Sequence, residues 1–209
     1  MPLHRIINAP EYTLFVWHIQ EDAAQLASLL QHYLPLAMHG MTTEQQHKAM
    51  HNTQFLSTRL LCYHYAGFAH PIIKDEFGKP HCDGLHLSIT HSHDYTAVIV
   101  SPKHKVGIDV ERIDPRILKV AHKFMHPDEY FFNADEQVEG ITLVWSAKET
   151  LYKVYSEREV IFKEELRIHP FHTGQQGSFR GDILKGEPLH DLKLHYAYFN
   201  NYILTWCAG

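Results

Sequence analysis

The chain has 209 residues, of which 44% are apolar and 21% charged, the profile of a soluble globular protein able to bury a full core as one large domain or two small ones. A net charge of -5 with histidine neutral argues against a general nucleic-acid binder, which needs a basic surface to meet phosphates. Cys62, Cys82 and Cys207 are odd in number and form no CxxC pair, so a reduced, cytoplasmic setting is expected in place of a disulfide framework. No stretch approaches the roughly 20 apolar residues that span a membrane. The N-terminal run is broken by Pro10, Glu11 and His18 and lacks the order of a secretory signal. The 19 histidines are scattered singly and read as surface residues, not as a shared metal tract.

Residues 12–19 alternate as a strand. Glu21 to Leu36 repeats apolar residues at Ala23, Leu26, Leu29, Leu30 and Tyr33, a helical spacing with Asp22 as an early-turn acid. Thr42 or Thr43 caps a second helix expected to run to about Ala66, ended by His70-Pro71. Phe77-Gly78-Lys79-Pro80 is a turn by composition. Leu85 to Thr90, Tyr95 to Ser101 and Val106 to Glu111 then read as three strands of an antiparallel meander. Pro115 opens a helical region over Ile117 to Phe124, and Pro127 suits the first turn of another helix. Glu136 to Tyr155 is the longest helix, followed by strand-like pieces around 165–169, 176–183, 192–199 and 201–206. The expected fold is α+β, each half holding helices and a small antiparallel sheet.

Three constellations carry chemistry. In Val106-Gly107-Ile108-Asp109-Val110-Glu111, the two acids point to one face of a strand and the three apolar side chains to the other. Adjacent carboxylates repel unless a cation lies between them, and hard oxygen donors suit Mg²⁺ or Ca²⁺; a solvated strand face is the plain alternative. In Trp145-Ser146-Ala147-Lys148-Glu149-Thr150-Leu151-Tyr152-Lys153, Glu149 and Lys153 are helical neighbours. By themselves they make a surface ion pair, but Trp145, Lys148, Glu149 and Tyr152 share a stripe that sets the acid beside aromatics, where it needs a partner. In Leu87-Ser88-Ile89-Thr90-His91-Ser92-His93, hydroxyls, amides and His91 can bond phosphate oxygens. His86, His91 and His93 lack a fourth ligand at zinc spacing. Lys79 is a cation on a turn. No P-loop, nucleophile elbow or dinucleotide-binding glycine run is present, so the chemistry is that of joining two substrates and managing phosphate charge.

Taken in order, Gly78-Lys79-Pro80, Leu87 to Ser92, Val106 to Glu111 and Trp145 to Lys153 resemble the 4′-phosphopantetheinyl transferases. The length resembles the surfactin-synthetase-activating (Sfp) class and not the short trimeric holo-acyl-carrier-protein synthases. The resemblance implies a pseudo-twofold monomer of two similar subdomains, residues 1–103 and 104–209, forming one compact body with coenzyme A in the cleft between them. It implies a holo-[acyl-carrier-protein] synthase type of reaction: the phosphopantetheine arm of coenzyme A moves to a serine of an apo acyl or peptidyl carrier protein, releasing adenosine 3′,5′-bisphosphate. Carried over, Asp109, Glu111 and Glu149 hold Mg²⁺ on the pyrophosphate, Lys153 contacts the phosphates, and Lys79, Thr90 and His91 hold the 3′-phosphate end. Asp109, Glu149 and Lys153 are the catalytic set, and the base is Glu149 or a metal-bound water. Glu129 matches a family acid, with a helix first-turn carboxylate as the alternative. The carrier protein is expected to dock around residues 112–140, in a fatty-acid, polyketide, nonribosomal-peptide, siderophore or lysine pathway.

Two departures stand out. Thr90 replaces the family's usual serine and keeps the hydroxyl. Between Thr42 and Leu61, where the family has several basic residues facing the 3′-phosphate, only Lys48 and Arg59 are fixed cations, with His47 and His51 nearby. A Mg²⁺-dependent nuclease or phosphatase could use the same carboxylates, but such nucleases usually set acid and lysine two residues apart, not four. A non-catalytic interaction protein would have no need of three acids and Lys153 together.

Overall fold

Two antiparallel sheets organise the chain, a four-stranded one in the unit Met1–His104 and a five-stranded one in the unit Lys105–Gly209. The structure, a computed structural model, describes residues 3–76, 78–157 and 159–209. The fold is α+β, as the sequence implies.

In the first unit, β1 (Leu3–Asn8) and β2 (Thr13–His18) form a hairpin. The sequence reading missed β1, whose exposure alternates along an edge strand and whose apolar residues are split by His4 and Arg5. Helices α1 (Ala23–Leu30) and α2 (Leu34–Ala37) follow. Asp22 is the cap of α1 and not merely an acid in its first turn: its Oδ1 accepts from Gln25 N at 2.8 Å while Gln25 Oε1 accepts from Asp22 N at 2.9 Å.

The single helix expected from Thr42 to Ala66 is two helices, α3 (Thr43–Met50) and α4 (Thr53–Leu60), with a π-helical end at Leu61–Tyr65. Thr42 caps the first, and Asn52 stops the run by accepting from Phe55 N at 2.9 Å and starting the second. Asparagine is among the strongest N-cap residues, and here its local bond outweighs the helical periodicity on either side.

A short hairpin, β3 (Ile73–Lys74) and β4 (Pro80–His81), surrounds Gly78, whose φ of +83° suits a residue without a side chain; Phe77 of the expected turn lies outside the described residues. Then β5 (His86–Ser92) pairs with β6 (Tyr95–Ser101), giving the order β1-β2-β6-β5.

The second unit begins with β7 (Val106–Arg112). The three-strand meander is therefore wrong at its third member: β7 pairs with β11 (Tyr202–Ala208). Hairpin pairing is local only when the sheet continues through the turn, and here the long-range partner wins. After β7 come α5 (Ile117–Val120), α6 (Gln137–Tyr155), α7 (Phe162–Glu165), β8 (Leu166–Ile168), β9 (Gln176–Ile183) and β10 (Leu189–Phe199), with sheet order β7-β11-β10-β9-β8. The helix expected after His126-Pro127 is only a 3₁₀ turn, Pro127–Glu129.

Helix α6 lies on this sheet. Leu143, Val144, Ala147, Leu151 and Val154 pack with Leu194, Ile203 and Cys207 in one buried cluster. Three buried hydroxyls tie α6 to β11: Thr205 Oγ1 lies 2.9 Å from Ser146 Oγ and 2.6 Å from Thr150 Oγ1. Gly107 lets β7 approach closely, because a Cβ there would collide with the Thr150 carbonyl and stand 2.8 Å from Val154 Cγ2. Gly107→Ala is accordingly expected to destabilise the protein by about 1–3 kcal/mol through overpacking; urea unfolding with no loss of stability would refute this close contact.

Candidate active site

Pleating places Gly107, Asp109 and Glu111 on the face of β7 that meets α6, and the cross-strand partner of Asp109 is Thr205 of the hydroxyl cluster. Val106, Ile108 and Val110 are buried on the other face. Asp109 is only 4% exposed, so this is no solvated strand face. Lys153, from the last turn of α6, donates to Asp109 Oδ1 at 2.8 Å and to the Ile108 carbonyl at 2.9 Å. In place of an i,i+4 surface pair with Glu149, the close carboxylate of Lys153 is that of Asp109.

Glu111 receives the indole N–H of Trp145 on Oε1 at 2.9 Å. Burial, with the charge of Asp109 added, raises the Glu111 carboxyl to about 7. The same two causes raise Glu149 to about 7, with a smaller contribution from Glu111 and a lowering by Lys153. Asp109, Glu111 and Glu149 are thus electrostatic neighbours with more negative charge than Lys153 balances. As their side chains stand, no group of three His, Cys, Asp or Glu among the described residues could hold a metal ion, and the same holds for the histidines around His91. The chemistry of the donors nevertheless suits Mg²⁺, which commonly takes only one or two protein carboxylates and completes its shell with substrate phosphates and water.

Beside Glu149 opens a cavity of about 560 Å³, walled by Val120, Phe124, Trp145, Tyr152, Val160 and Phe162. Its walls are held by an ion pair whose partners the sequence offered only singly. Lys148 and Glu129 are fully buried and 2.7 Å apart. Lys148 Nζ also donates to the carbonyls of Phe124 at 2.7 Å and Phe162 at 2.9 Å, and Glu129 accepts from His126 N and Ile168 N at 2.7 and 2.8 Å. Glu129 is a first-turn acid that closes a capping box with His126, and it is also buried against Lys148. Acid and base lie 19 positions apart in the sequence, and no periodicity links them.

In the first unit, Thr90 is buried on β5 and His91 is exposed beside it. Lys79 is half-buried in its turn, its N–H donating to Asp75 Oδ1 at 2.9 Å. Arg59 of α4 is only 9% exposed. Its guanidinium lies 4.8 Å from the Phe55 ring, its Nε is buried without a hydrogen bond, and no ion pair reaches it among the described residues. Burial pushes its pKa down. The neighbouring Thr58 hydroxyl lies 3.1 Å from that of Thr96, whose cross-strand partner is His91. Lys48 instead forms an exposed pair with Glu44 at 2.6 Å, and the exposed rings of His47 and His51 are 4.9 Å apart.

The second unit thus defines a class of site: clustered carboxylates and a lysine, on a strand and a facing helix, beside an apolar cavity. Residues 105–207 match the family model of the 4′-phosphopantetheinyl transferase superfamily. Among similar proteins are the 4′-phosphopantetheinyl transferase gsp of Aneurinibacillus migulanus, 36% identical over 85 residues, and the 4′-phosphopantetheinyl transferase Sfp of Bacillus subtilis (strain 168), 32% identical over 85 residues. These alignments cover 38% and 37% of this chain and 35% and 38% of the relatives, so the match spans little more than a third of their length.

Two outcomes are expected. Lys148→Met leaves Glu129 buried without its counter-charge and should cost about 3–5 kcal/mol in urea unfolding; a loss under about 1 kcal/mol would contradict a fully buried pair. Glu111 and Glu149 ionise near 7 when folded and near about 4.3 when unfolded. The folded state holds these protons more tightly, so their contribution to stability is greatest below the unfolded value and is lost as pH rises through about 7. In chelator, the melting temperature should fall between about pH 5 and pH 8, and Glu149→Gln should flatten that fall. Parallel profiles for the two proteins would disprove the coupling.

Proposed function

We propose that the chain is an Sfp-type 4′-phosphopantetheinyl transferase that moves the phosphopantetheine arm of coenzyme A onto a serine of an apo acyl or peptidyl carrier protein. The observation that carries this reading is the set of buried Asp109 with half-buried Glu111, Glu149 and Lys153, too negative for its own lysine. The match of residues 105–207 to the family supports it.

In the reaction, the carrier serine Oγ attacks the phosphorus that bears the pantetheine arm. A new P–O bond forms to serine, the P–O bond to the adenosine side breaks, and adenosine 3′,5′-bisphosphate leaves. Glu149 is the side chain that accepts the serine proton. Lys153 lies against Asp109 and supplies positive charge to the pyrophosphate as the leaving group gains charge. Asp109, Glu111 and Glu149 are the residues that would hold Mg²⁺, which would supply charge neutralisation at the pyrophosphate.

The apolar cavity beside Glu149 takes the pantetheine arm, and its aromatic walls keep water from the reacting bond. In the first unit, Arg59 is a buried cation without an anionic partner among the described residues, which supports a role with Lys79, Thr90 and His91 at the 3′-phosphate. Lys48 is left with a lesser part, since Glu44 already pairs it at the surface. The reading includes a monomer in a reducing, cytoplasmic compartment, which suits three free and buried cysteines; no described helix is long and apolar enough to cross a membrane. No observation favours a nuclease or phosphatase.

Mass spectrometry of apo-carrier proteins incubated with the protein, coenzyme A and Mg²⁺ tests the proposal. The carrier serine should gain one phosphopantetheine arm, and Glu149→Gln should slow transfer by about 10²–10⁴-fold. Hydrolysis of coenzyme A without any mass gain on a panel of acyl and peptidyl carriers would overturn it.

A further inference from the structure

Trp145 touches both parts of the second unit's site. Its indole Nε1 holds Glu111 Oε1 at 2.9 Å, across 34 positions of sequence. Its ring lies 4.9 Å from that of Phe124 and 5.6 Å from that of Phe162, and together with them it walls the cavity next to Glu149 and Tyr152. The indole cannot turn without moving both a wall of the cavity and its bond to the carboxylate. Glu111 needs such a holder, because the neighbouring charge of Asp109 repels it on the same strand face. With Oε1 accepting from the indole, Oε2 is the other carboxylate oxygen that can take a partner.

We propose that Trp145 is a positioning residue that couples filling of this cavity to the orientation of Glu111, so that the occupant of the cavity and the divalent cation favour each other's binding. The inference rests on the transferase reading, with the pantetheine arm as occupant and Mg²⁺ as cation. An arm packed against the indole restricts its rotation, and the restricted N–H keeps the carboxylate aimed. A hydrogen-bond partner that orients a metal-binding side chain typically changes metal affinity or activity by about 10–100-fold when removed.

The test compares wild-type protein with Trp145→Phe, which keeps an aromatic wall and loses the N–H. Calorimetric titration of Mg²⁺ into protein saturated with coenzyme A should show affinity about tenfold weaker in Trp145→Phe, while KM for coenzyme A stays within about twofold and kcat falls. Coenzyme A should also change tryptophan emission in the wild type and not in Trp145→Phe, since Trp17 and Trp206 are 1% and 6% exposed. Unchanged Mg²⁺ affinity overturns the proposal, and so does an equal loss of coenzyme A and Mg²⁺ binding with a lowered melting temperature, the mark of packing damage alone. Should Trp145→Phe not fold, Trp145→His, which keeps a ring N–H, decides: Mg²⁺ affinity within about threefold of wild type supports the coupling, and a loss of about tenfold or more overturns it. Wild-type protein that binds no coenzyme A at all would remove the transferase reading and this inference with it, whereas active wild-type protein with an indifferent variant removes the inference alone.

Discussion

Helix α6 rests against β7 at a distance that only glycine permits. Gly107 faces the Thr150 carbonyl and Val154, and the hydroxyls of Ser146, Thr150 and Thr205 bond one another across the same layer. That approach takes Asp109 out of water, since it stands two residues along the same strand face, and brings it to Lys153. Polar groups buried this way are tolerated only when they find partners. The hydroxyls satisfy one another, and Asp109 has Lys153, but Glu111 and Glu149 hold more negative charge than the helix returns. The acid cluster is thus a consequence of how closely helix and strand pack.

Each unit carries an imbalance of opposite sign. In Lys105–Gly209 burial and mutual repulsion raise two carboxyls to about 7. In Met1–His104 a buried guanidinium has an aromatic ring as its neighbour and no counter-ion among the described residues. Folding alone would have no use for either, because an unpaired buried charge weakens the native state. Around the acids, Lys148 and Glu129 serve the fold instead, fastening the aromatic walls of the cavity by gripping the carbonyls of Phe124 and Phe162.

The family match covers residues 105–207, the unit that holds the carboxylates, Lys153 and the cavity. The two departures from the pattern of the family the chain resembles, Thr90 and the stretch between Thr42 and Leu61, fall in the other unit. There Asn52 breaks what periodicity would continue as one helix, Lys48 is engaged by Glu44 at the surface, and Arg59 is turned into the protein. Of the two fixed cations in that stretch, Arg59 is desolvated and Lys48 is exposed.

Local rules in the sequence determined much of this protein. Alternation marked β2, strand-like composition between short connections marked β5, β6, β7 and the four closing strands, helical spacing marked α6, and the two-residue step from Asp109 to Glu111 put both acids on one face. These features are legible because strand and helix periods are properties of neighbouring residues. Motif order singled out Glu149 and Lys153 as well. Only tertiary structure decided that β7 pairs with β11, that Lys153 serves Asp109, that Glu129 finds Lys148, and that the indole of Trp145 holds Glu111. Each of those bonds joins residues far apart in the chain, and which distant groups meet depends on how helix and sheet pack, a choice that no local spacing encodes.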